Sequence, residues 1–347
     1  MNHLAIEECF YILGQKISNF LEQYQLPQDD IWIDFKANIK RQHSINAWHT
    51  EENIKKSLEI LCQTLTRQPL EKYKSVLPVN NGKSNIIFLR SIDQWPLSQC
   101  QYLISILLSG NKIIFNEEQC TDKPFVALCK ILFLINRSFS EYIVFGNSRE
   151  LKYDALVIEK NDIDIASTDS YLSKRNAFIA YKNTSVAILD GTETQENLKD
   201  LSEQIFRFFG MSPHNIKKIF VPEHYELTKF LDACESQYNI INHNKYANNY
   251  QYHQSVYLMN RIEHLDNGFL LLTQNKQTIA PTGVVYFEYY QDYNNTIEIQ
   301  SKNKQLTDIY TVFDNSNKTC NIKSFNEKLF FPQTTFIDFL NSLQNGK

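Results

Sequence analysis

The segment that decides the fold is 201-LSEQIFRFFGMSPHNIKKIFVP-222. It continues a helical pattern that starts near Gln195 and places Leu198, Leu201 and Ile205 on one side. Gly210 follows the last apolar residue of this pattern, which is where a helix commonly ends. A short loop and the strand-like run 217–221 complete the segment. We therefore expect a helix, a loop and a strand in succession.

The same alternation of helices and strands extends along the chain. Strand-like runs occupy 85–89, 112–115, 142–145, 154–158, 185–189 and 283–290. Helical patterns occupy 97–108, 124–135 and 223–234. Strands separated by helices of about a dozen residues form parallel sheets through crossover connections. The sequence therefore predicts an α/β protein.

Residues 1–75 differ from the rest because they read as helical throughout. Thr50 offers a capping hydroxyl, and Glu51 and Glu52 place acids in the first helical turn. Apolar residues then recur every three or four positions from Ile54 to Leu65. We expect this helical N-terminal segment to pack on the domain that follows it.

Composition excludes several classes of protein. The chain of 347 residues carries a net charge of −4, with 43% hydrophobic and 21% charged residues, as in ordinary globular proteins. A net negative charge does not indicate a protein that binds nucleic acid, because such proteins carry an excess of lysine and arginine. The N-terminal residues include acids where a signal peptide needs an apolar run. The apolar run 131–135 is too short to span a bilayer. We therefore expect a cytoplasmic protein without a membrane span.

Cysteine and glycine usage argues against metal and glycine-rich nucleotide sites. The seven cysteines show no CxxC pair, and the eight histidines are dispersed, so the spacing of zinc ligands is absent. We expect reduced and mostly buried thiols, Cys234 among them, and no metal. Only nine glycines are present, and no glycine-rich phosphate loop occurs.

Five further short segments of the chain carry motifs that occur in the same order in a known family. They are 46–53 (NAWHTEEN), 185–194 (SVAILDGTET), 244–250 (NKYANNY), 265–272 (LDNGFLLL) and 287–290 (FEYY). Together with 201–222, they resemble the LuxC-type fatty acyl-CoA reductases of the aldehyde dehydrogenase superfamily. The resemblance implies an aldehyde-dehydrogenase-like fold. It further implies a helical segment at 1–75, a Rossmann-like cofactor domain at 76–180, an α/β catalytic-type domain at 181–300 and a C-terminal return segment at 301–347.

The resemblance also implies a reaction. In that family a cysteine takes an acyl group from coenzyme A or from an acyl-transferring protein, and NADPH reduces the thioester to an aldehyde. A fixed amide side chain stabilises the oxyanion. Fatty acid metabolism is the implied setting, and an acyltransferase-like protein or a paralogous reductase is the implied partner.

At the family's functional positions, this chain departs from the pattern. The nucleophile position holds Pro213, which has no thiol. The oxyanion asparagine position holds Gln94, whose amide is one methylene longer. The lysine position at the cofactor ribose holds Asn116, and the small phosphate loop carries Lys160 and Asn161. The C-terminal family pattern is also weakened at 331–340. We expect a degenerate cofactor site.

Three functional hypotheses remain open at the level of the sequence. The first is a non-catalytic scaffold or regulatory partner. The second is an active, divergent NADPH-dependent reductase in which Ser212 and His214 form a weak substitute for the missing nucleophile. The third is a module that binds acyl-CoA or an acyl chain. The sequence leaves the oligomeric state open.

Overall fold

The computed structural model describes residues 6–24, 29–78, 84–90, 95–146, 151–159, 176–180, 183–303, 305–311, 320–321, 329–331 and 334–344. The chain divides into two compact units. The first comprises Met1–Tyr181 and Leu329–Lys347, and the second comprises Lys182–Lys328.

The first unit begins with helices, as the sequence predicts. They are α1 (Ile6–Glu22), α2 (Asp30–Ile45), α3 (Glu51–Thr64) and α4 (Arg67–Val76). The predicted cap of α3 is confirmed, because Thr50 Oγ1 accepts a hydrogen bond of 3.2 Å from the Asn53 N–H. Ile54, Leu58 and Leu61 are at most 1% exposed, so the predicted apolar face of α3 is also confirmed.

A parallel sheet follows these helices. Its elements are β1 (Ile86–Leu89), α5 (Cys100–Leu108), β2 (Lys112–Phe115), α6 (Lys123–Ile135), β3 (Ile143–Phe145), β4 (Ala155–Glu159) and β5 (Ala177–Ala180). The strand order is β3-β2-β1-β4-β5, and every pair is parallel. This order matches the first five strands of the doubly wound dinucleotide-binding sheet.

Helix α5 begins three residues later than the sequence predicts. Leu97 adopts a left-handed conformation with φ of 63°, which an α-helix cannot contain. The buried carboxylate of Asp122 accepts a hydrogen bond of 2.7 Å from the Leu97 N–H and thereby fixes this turn. The other oxygen of Asp122 caps α6 through the Phe125 N–H at 3.2 Å.

The second unit contains a mixed sheet. Its elements are β6 (Thr184–Ile188), α7 (Gln195–Phe206), β7 (Ile216–Pro222), α8 (Leu227–Cys234), α9 (Asn244–Asn260), β8 (Leu265–Asp266), β9 (Leu271–Gln274), β10 (Val284–Tyr290), α10 (Tyr293–Ser301), β11 (Leu306–Thr311) and β12 (Cys320–Asn321). The strand order is β12-β11-β6-β7-β10-β9-β8. All pairs are parallel except β8 with β9.

The chain ends with α11 (Thr334–Gln344), which belongs to the first unit. The ring of Phe336 packs against Tyr102 and Phe178, with both centroid distances at 4.9 Å. Among the residues that the structure describes, no helix combines the length and the apolar character needed to cross a bilayer. The predicted α/β class is confirmed.

Candidate functional site

A left-handed turn leads from α7 into the candidate site of the second unit. A reciprocal cap starts α7, because Thr194 Oγ1 accepts from the Asn197 N–H at 3.2 Å and Asn197 Oδ1 accepts from the Thr194 N–H at 3.1 Å. The helix ends at Phe206, and not near Gly210 as the sequence predicts. Phe208 and Phe209 follow with φ of 52° and 57°.

This turn is strained and held by packing. Each L-residue in the left-handed conformation costs about 1–2 kcal/mol. Phe208 is only 1% exposed, and the Phe209 ring lies 4.1 Å from the His243 ring. Gly210 continues the turn with φ of 70°, and a Cβ there would lie 2.6 Å from Lys217 Nζ. Strain of this kind concentrates at functional sites, so the loop that follows the turn is a candidate functional site.

The loop at 211–215 is fixed by its own polar groups. The Ser212 N–H donates to Asn215 Oδ1 at 2.7 Å, and the Asn215 N–H donates to the Ser212 carbonyl at 3.0 Å. The Asn215 amide also donates to the Gln204 carbonyl of α7. Ser185 Oγ donates to the Pro213 carbonyl at 3.1 Å. Pro213 is therefore buried in a loop that is tied to both α7 and β6.

The side chains on either side of Pro213 are turned to separate partners. Ser212 Oγ accepts a hydrogen bond of 3.3 Å from the main-chain N–H of His214. The imidazole Nδ1 of His214 lies 2.6 Å from Asp308 Oδ2, and the two side chains are 5% and 9% exposed. The Tyr310 hydroxyl donates to the same carboxylate oxygen at 3.3 Å. This geometry fits a clamp between the loop and β11 better than a hydroxyl–base pair.

Five thiols of the described residues are poor nucleophiles. Burial raises the pKa of Cys9, Cys62, Cys100, Cys129 and Cys234. A raised pKa depletes the thiolate, which is the reactive form. Cys234 is 0% exposed, so the prediction that it belongs to the core is confirmed. The described part of the chain contains no cluster of three or more histidine, cysteine or carboxylate side chains that would hold a metal.

A cavity of about 270 Å³ lies in the first unit, at the carboxyl ends of β1 and β2. It is lined by Phe88, Leu89, Arg90, Gln99, Phe115, Asn116, Gln119 and Cys120. Ligands of open parallel sheets bind at the carboxyl ends of the strands, so the position of the cavity is that of a ligand site. Arg90 carries the one formal charge among these described lining residues.

Asn116 lies in this cavity, directly after β2. Its side-chain oxygen accepts hydrogen bonds from the N–H groups of Glu118 at 3.0 Å and Gln119 at 3.3 Å. The amide oxygen is therefore committed to its own turn. A cation is also absent from this position, because asparagine is neutral.

The remaining predicted site residues are Gln94, Lys160 and Asn161, and they lie outside the described residues. Their roles stay predictions. Sequence reasoning missed Arg90 and Asp308. Arg90 had a usable signal, because it directly follows the strand-like run 85–89. Asp308 had none, since 94 residues separate it from His214.

Comparison with solved structures finds this fold in aldehyde dehydrogenases. Indole-3-acetaldehyde dehydrogenase AldA from P. syringae, in complex with NAD+ and IAA, is 9% identical with a TM-score of 0.58, over 91% of this chain and 74% of that chain. Aldehyde dehydrogenase 21 from Physcomitrella patens, in complex with the reaction product succinate, is 10% identical with a TM-score of 0.56, and the match covers 90% of this chain and 73% of that chain. An oxidoreductase from Marinobacter aquaeolei is 11% identical with a TM-score of 0.56, and the match covers 92% of this chain and 76% of that chain.

No protein-family model and no curated protein matches the sequence. The structural matches have low sequence identity and therefore establish the fold. The predicted aldehyde-dehydrogenase-like fold is confirmed.

Proposed function

We propose that this chain is a non-catalytic relative of LuxC-type acyl-CoA reductases. It would act as a scaffold or regulatory partner of an acyl-transferring protein or of an active paralogue. The observation that carries this proposal is the buried Pro213, which stands at the position where the resemblance places the nucleophile. The proposal builds on the aldehyde-dehydrogenase-like fold and on that resemblance together.

The surroundings of Pro213 offer no replacement for a thiolate among the described residues. A covalent thioester requires a nucleophile that a neighbouring base activates. The Ser212 hydroxyl is bonded to the main chain, whereas the His214 imidazole is bonded to Asp308. Cys234 is buried with a raised thiol pKa. These side chains support the fold of the loop and not a reaction at it.

The cofactor side of the proposal rests on Asn116. The resemblance places a lysine there, and a lysine would provide a mobile cation near the cofactor ribose. Asn116 is neutral, and its side-chain oxygen caps the turn at Glu118. We therefore expect NADPH to be neither bound tightly nor oxidised. The structure of AldA from P. syringae contains NAD+, and this describes the cofactor binding of AldA alone.

A second candidate function is supported by the cavity of the first unit. The cavity of about 270 Å³ has Arg90 on its lining, and a guanidinium group is suited to phosphate. This combination favours a module that binds a nucleotide-bearing ligand such as acyl-CoA without turning it over. The active, divergent reductase remains the alternative that an activity assay addresses.

The decisive experiment is a reductase assay on the purified protein, with NADPH and acyl-CoA substrates of several chain lengths. We expect no aldehyde and no oxidation of NADPH. Pro213→Cys should also be inactive, because it restores the thiol and leaves Asn116 in place. Pro213→Ala is the matched control for a change in the loop. Aldehyde formation by the wild-type protein would overturn the proposal in favour of the active reductase.

Binding is measured separately from turnover. Calorimetric titration with NADPH and with acyl-CoA tests the binding module. If that second candidate is correct, acyl-CoA binds saturably, Arg90→Gln weakens the binding, and Lys72→Gln, an exposed cation on α4, leaves it unchanged. Purification from the native host tests the scaffold. A stable complex with an acyltransferase or an intact reductase would support it, whereas a protein that carries bound lipid alone would favour the binding module.

A further inference from the structure

A cluster of buried polar side chains connects the N-terminal helices to the cavity of the first unit. Gln42 of α2, Gln99 before α5 and Asp122 before α6 are 0% exposed, and Cys120 is 2% exposed. Burial of polar groups costs free energy unless hydrogen bonds replace those to water. A buried polar cluster that is hydrogen-bonded holds one arrangement of the chain, because its bonds are directional. The bonds of this cluster therefore show which part of the unit is held in place.

Gln42 uses both ends of its carboxamide on the loop that precedes α6. Its Nε2 donates to the Thr121 carbonyl at 2.7 Å, and its Oε1 accepts from the Lys123 N–H at 3.1 Å. The peptide groups of a neighbouring strand would bond to the same two main-chain groups. One side chain of α2 thus takes the place of a strand and fixes the main chain on both sides of Asp122.

Asp122 connects this loop to the turn before α5. Its Oδ2 accepts from the Leu97 N–H at 2.7 Å, and its Oδ1 accepts from the Phe125 N–H at 3.2 Å. Leu97 has φ of 63°, a strained conformation that persists only where the surroundings hold it. A displaced Asp122 would release Leu97 and, with it, the start of α5.

Two members of the cluster, Gln99 and Cys120, line the cavity, and we call them the cavity wall. Gln99 Nε2 donates to Cys120 Sγ at 3.4 Å, and the thiol donates to the Asp122 carbonyl at 3.6 Å. Gln99 lies two residues after Leu97 in the chain. Cys120 lies two residues before Asp122. The position of each wall residue therefore depends on Asp122, which Gln42 holds from outside the cavity.

We propose that Gln42 is a positioning residue for the ligand of this cavity. It acts by holding Asp122, which in turn places Gln99 and Cys120. The helical N-terminal segment is thereby part of the ligand site, although it adds no side chain to the cavity lining that the structure describes. This inference rests on the binding module proposed above as the second candidate function, and it names the residue outside the cavity on which ligand binding depends.

Gln42→Met tests the proposal, because it removes both hydrogen bonds and keeps the length of the side chain. The Cys120 thiol reports the response of the cavity wall. Cys129 of α6 is the internal reference, since it is buried in the same unit and outside the described lining. Alkylation of each thiol by iodoacetamide is followed by peptide mass spectrometry on the native full-length protein. We expect the variant to raise the rate at Cys120 by a factor about ten times larger than at Cys129.

Leu58→Ala is the matched control. Leu58 is 0% exposed in α3, so its truncation destabilises the N-terminal segment and leaves the hydrogen bonds of Gln42 in place. Destabilisation alone makes the buried thiols of a unit accessible together, through unfolding of that unit. The rate at Cys120 should then rise by no more than the rate at Cys129. An equal rise at both thiols in Gln42→Met, or an unchanged rate at Cys120, would overturn the proposal.

A second variant tests the order of the contacts. Asp122→Asn replaces one of the two acceptor oxygens by a donor, so the bond to Leu97 or to Phe125 is lost. It should raise the rate at Cys120 as Gln42→Met does. Because both residues act on the same wall, the double variant should raise the rate by less than the product of the single effects. Effects that multiply would show that Gln42 does not act through Asp122.

Calorimetric titration with octanoyl-CoA completes the test. Gln42→Met should raise the Kd about tenfold, whereas Leu58→Ala should change it by no more than about twofold. An unchanged Kd in Gln42→Met, beside saturable binding by the wild-type protein, would also overturn the proposal. If the wild-type protein does not bind octanoyl-CoA and the thiol rates follow the expected pattern, the binding module fails while Gln42 still positions the cavity wall. The two failures are therefore distinguishable.

Discussion

His214 and Asp308 are joined by a hydrogen bond of 2.6 Å within the second unit. Asp308 also accepts from Tyr310, and its N–H donates to Ser185 Oγ at 3.2 Å. Ser185 in turn donates to the Pro213 carbonyl. The residues next to Pro213 therefore connect the loop, β6 and β11 through one chain of hydrogen bonds.

Removal of one member of this pair should destabilise the second unit strongly. His214→Leu leaves the Asp308 carboxylate nearly buried without the imidazole, which typically costs about 3–5 kcal/mol. The double variant His214→Leu/Asp308→Leu should cost less, because the uncompensated charge is gone. Urea unfolding followed by far-UV circular dichroism measures both.

His224→Asn provides the control, since His224 is an exposed histidine of the same unit with φ of 71°, a conformation that asparagine also adopts, and its replacement should have little effect. A double variant that is less stable than His214→Leu alone would contradict the clamp.

The residues of this site differ in how far the sequence predicts them. Pro213 could be singled out because the resemblance to the LuxC-type family places the nucleophile at this position. Asp308 could not, because a contact across 94 residues leaves no trace in local periodicity. Arg90 lies between these cases, since the end of a buried parallel strand is a known place for ligand contacts.

Among the elements, caps and strands were predictable from local chemistry. The cap at Thr50 needs only a hydroxyl followed by helix-forming residues, and the structure confirms it. The end of α7 was not predictable, because phenylalanine rarely adopts the left-handed conformation that Phe208 and Phe209 have. Their ring packing, which depends on His243 and the rest of the core, overrides the local preference.

The order of the strands in the sheet could not be predicted from the alternation of helices and strands in the sequence. Alternating helices and strands predict a parallel sheet, and the first unit has one. The position of β1 between β2 and β4 depends on pairing between segments that are far apart in the chain. Local periodicity is the same for every order of strands, so it cannot select this one.

Helix α9 lies close to the backbone that leads into β10. Gly283 precedes β10 with φ of 83°, and an added Cβ would lie 3.0 Å from Tyr250 Cα of α9. Gly283→Ala should therefore displace α9 and lower the free energy of unfolding by about 2 kcal/mol or more, through both conformation and crowding. Thermal unfolding followed by circular dichroism measures the loss.

Gly268→Ala is the matched control for this change. Gly268 has φ of 90° and no atom within 4 Å of an added Cβ, so only the conformational cost of about 1 kcal/mol remains. Equal losses in the two variants would show that α9 does not approach β10 closely at Gly283.

For the molecule as a whole, the spectroscopic probes and the buried thiols are distributed unequally between the units. All three tryptophans, Trp32, Trp48 and Trp95, belong to the first unit. That unit also contains Cys100 and Cys129, which are at most 3% exposed. Tryptophan fluorescence therefore reports the unfolding of the unit in which these two thiols are buried.

Alkaline pH should destabilise the first unit. Burial raises the pKa of Cys100 and Cys129 well above the ordinary value, whereas in the unfolded chain a thiol ionises near pH 8.5. Above that pH the unfolded state binds fewer protons than the folded state, so the free energy of unfolding falls as pH rises. Below it both states are protonated, and these thiols cause no change. Burial also raises the pKa of Tyr73, which adds to the fall above about pH 10.

Each thiol contributes about 1.4 kcal/mol per pH unit well above pH 8.5 and half of that at pH 8.5, so the two together should lower the free energy of unfolding by about 3 kcal/mol between pH 8.5 and pH 10. Urea unfolding followed by tryptophan fluorescence at a series of pH values measures this slope. Cys129→Ala removes one titrating group and should therefore make the slope shallower by about 1.4 kcal/mol per pH unit below pH 10, whatever its effect on stability at pH 7. A wild-type free energy of unfolding that is the same at pH 8 and pH 10 would mean that these thiols ionise without unfolding, and hence that solvent reaches them in the native state.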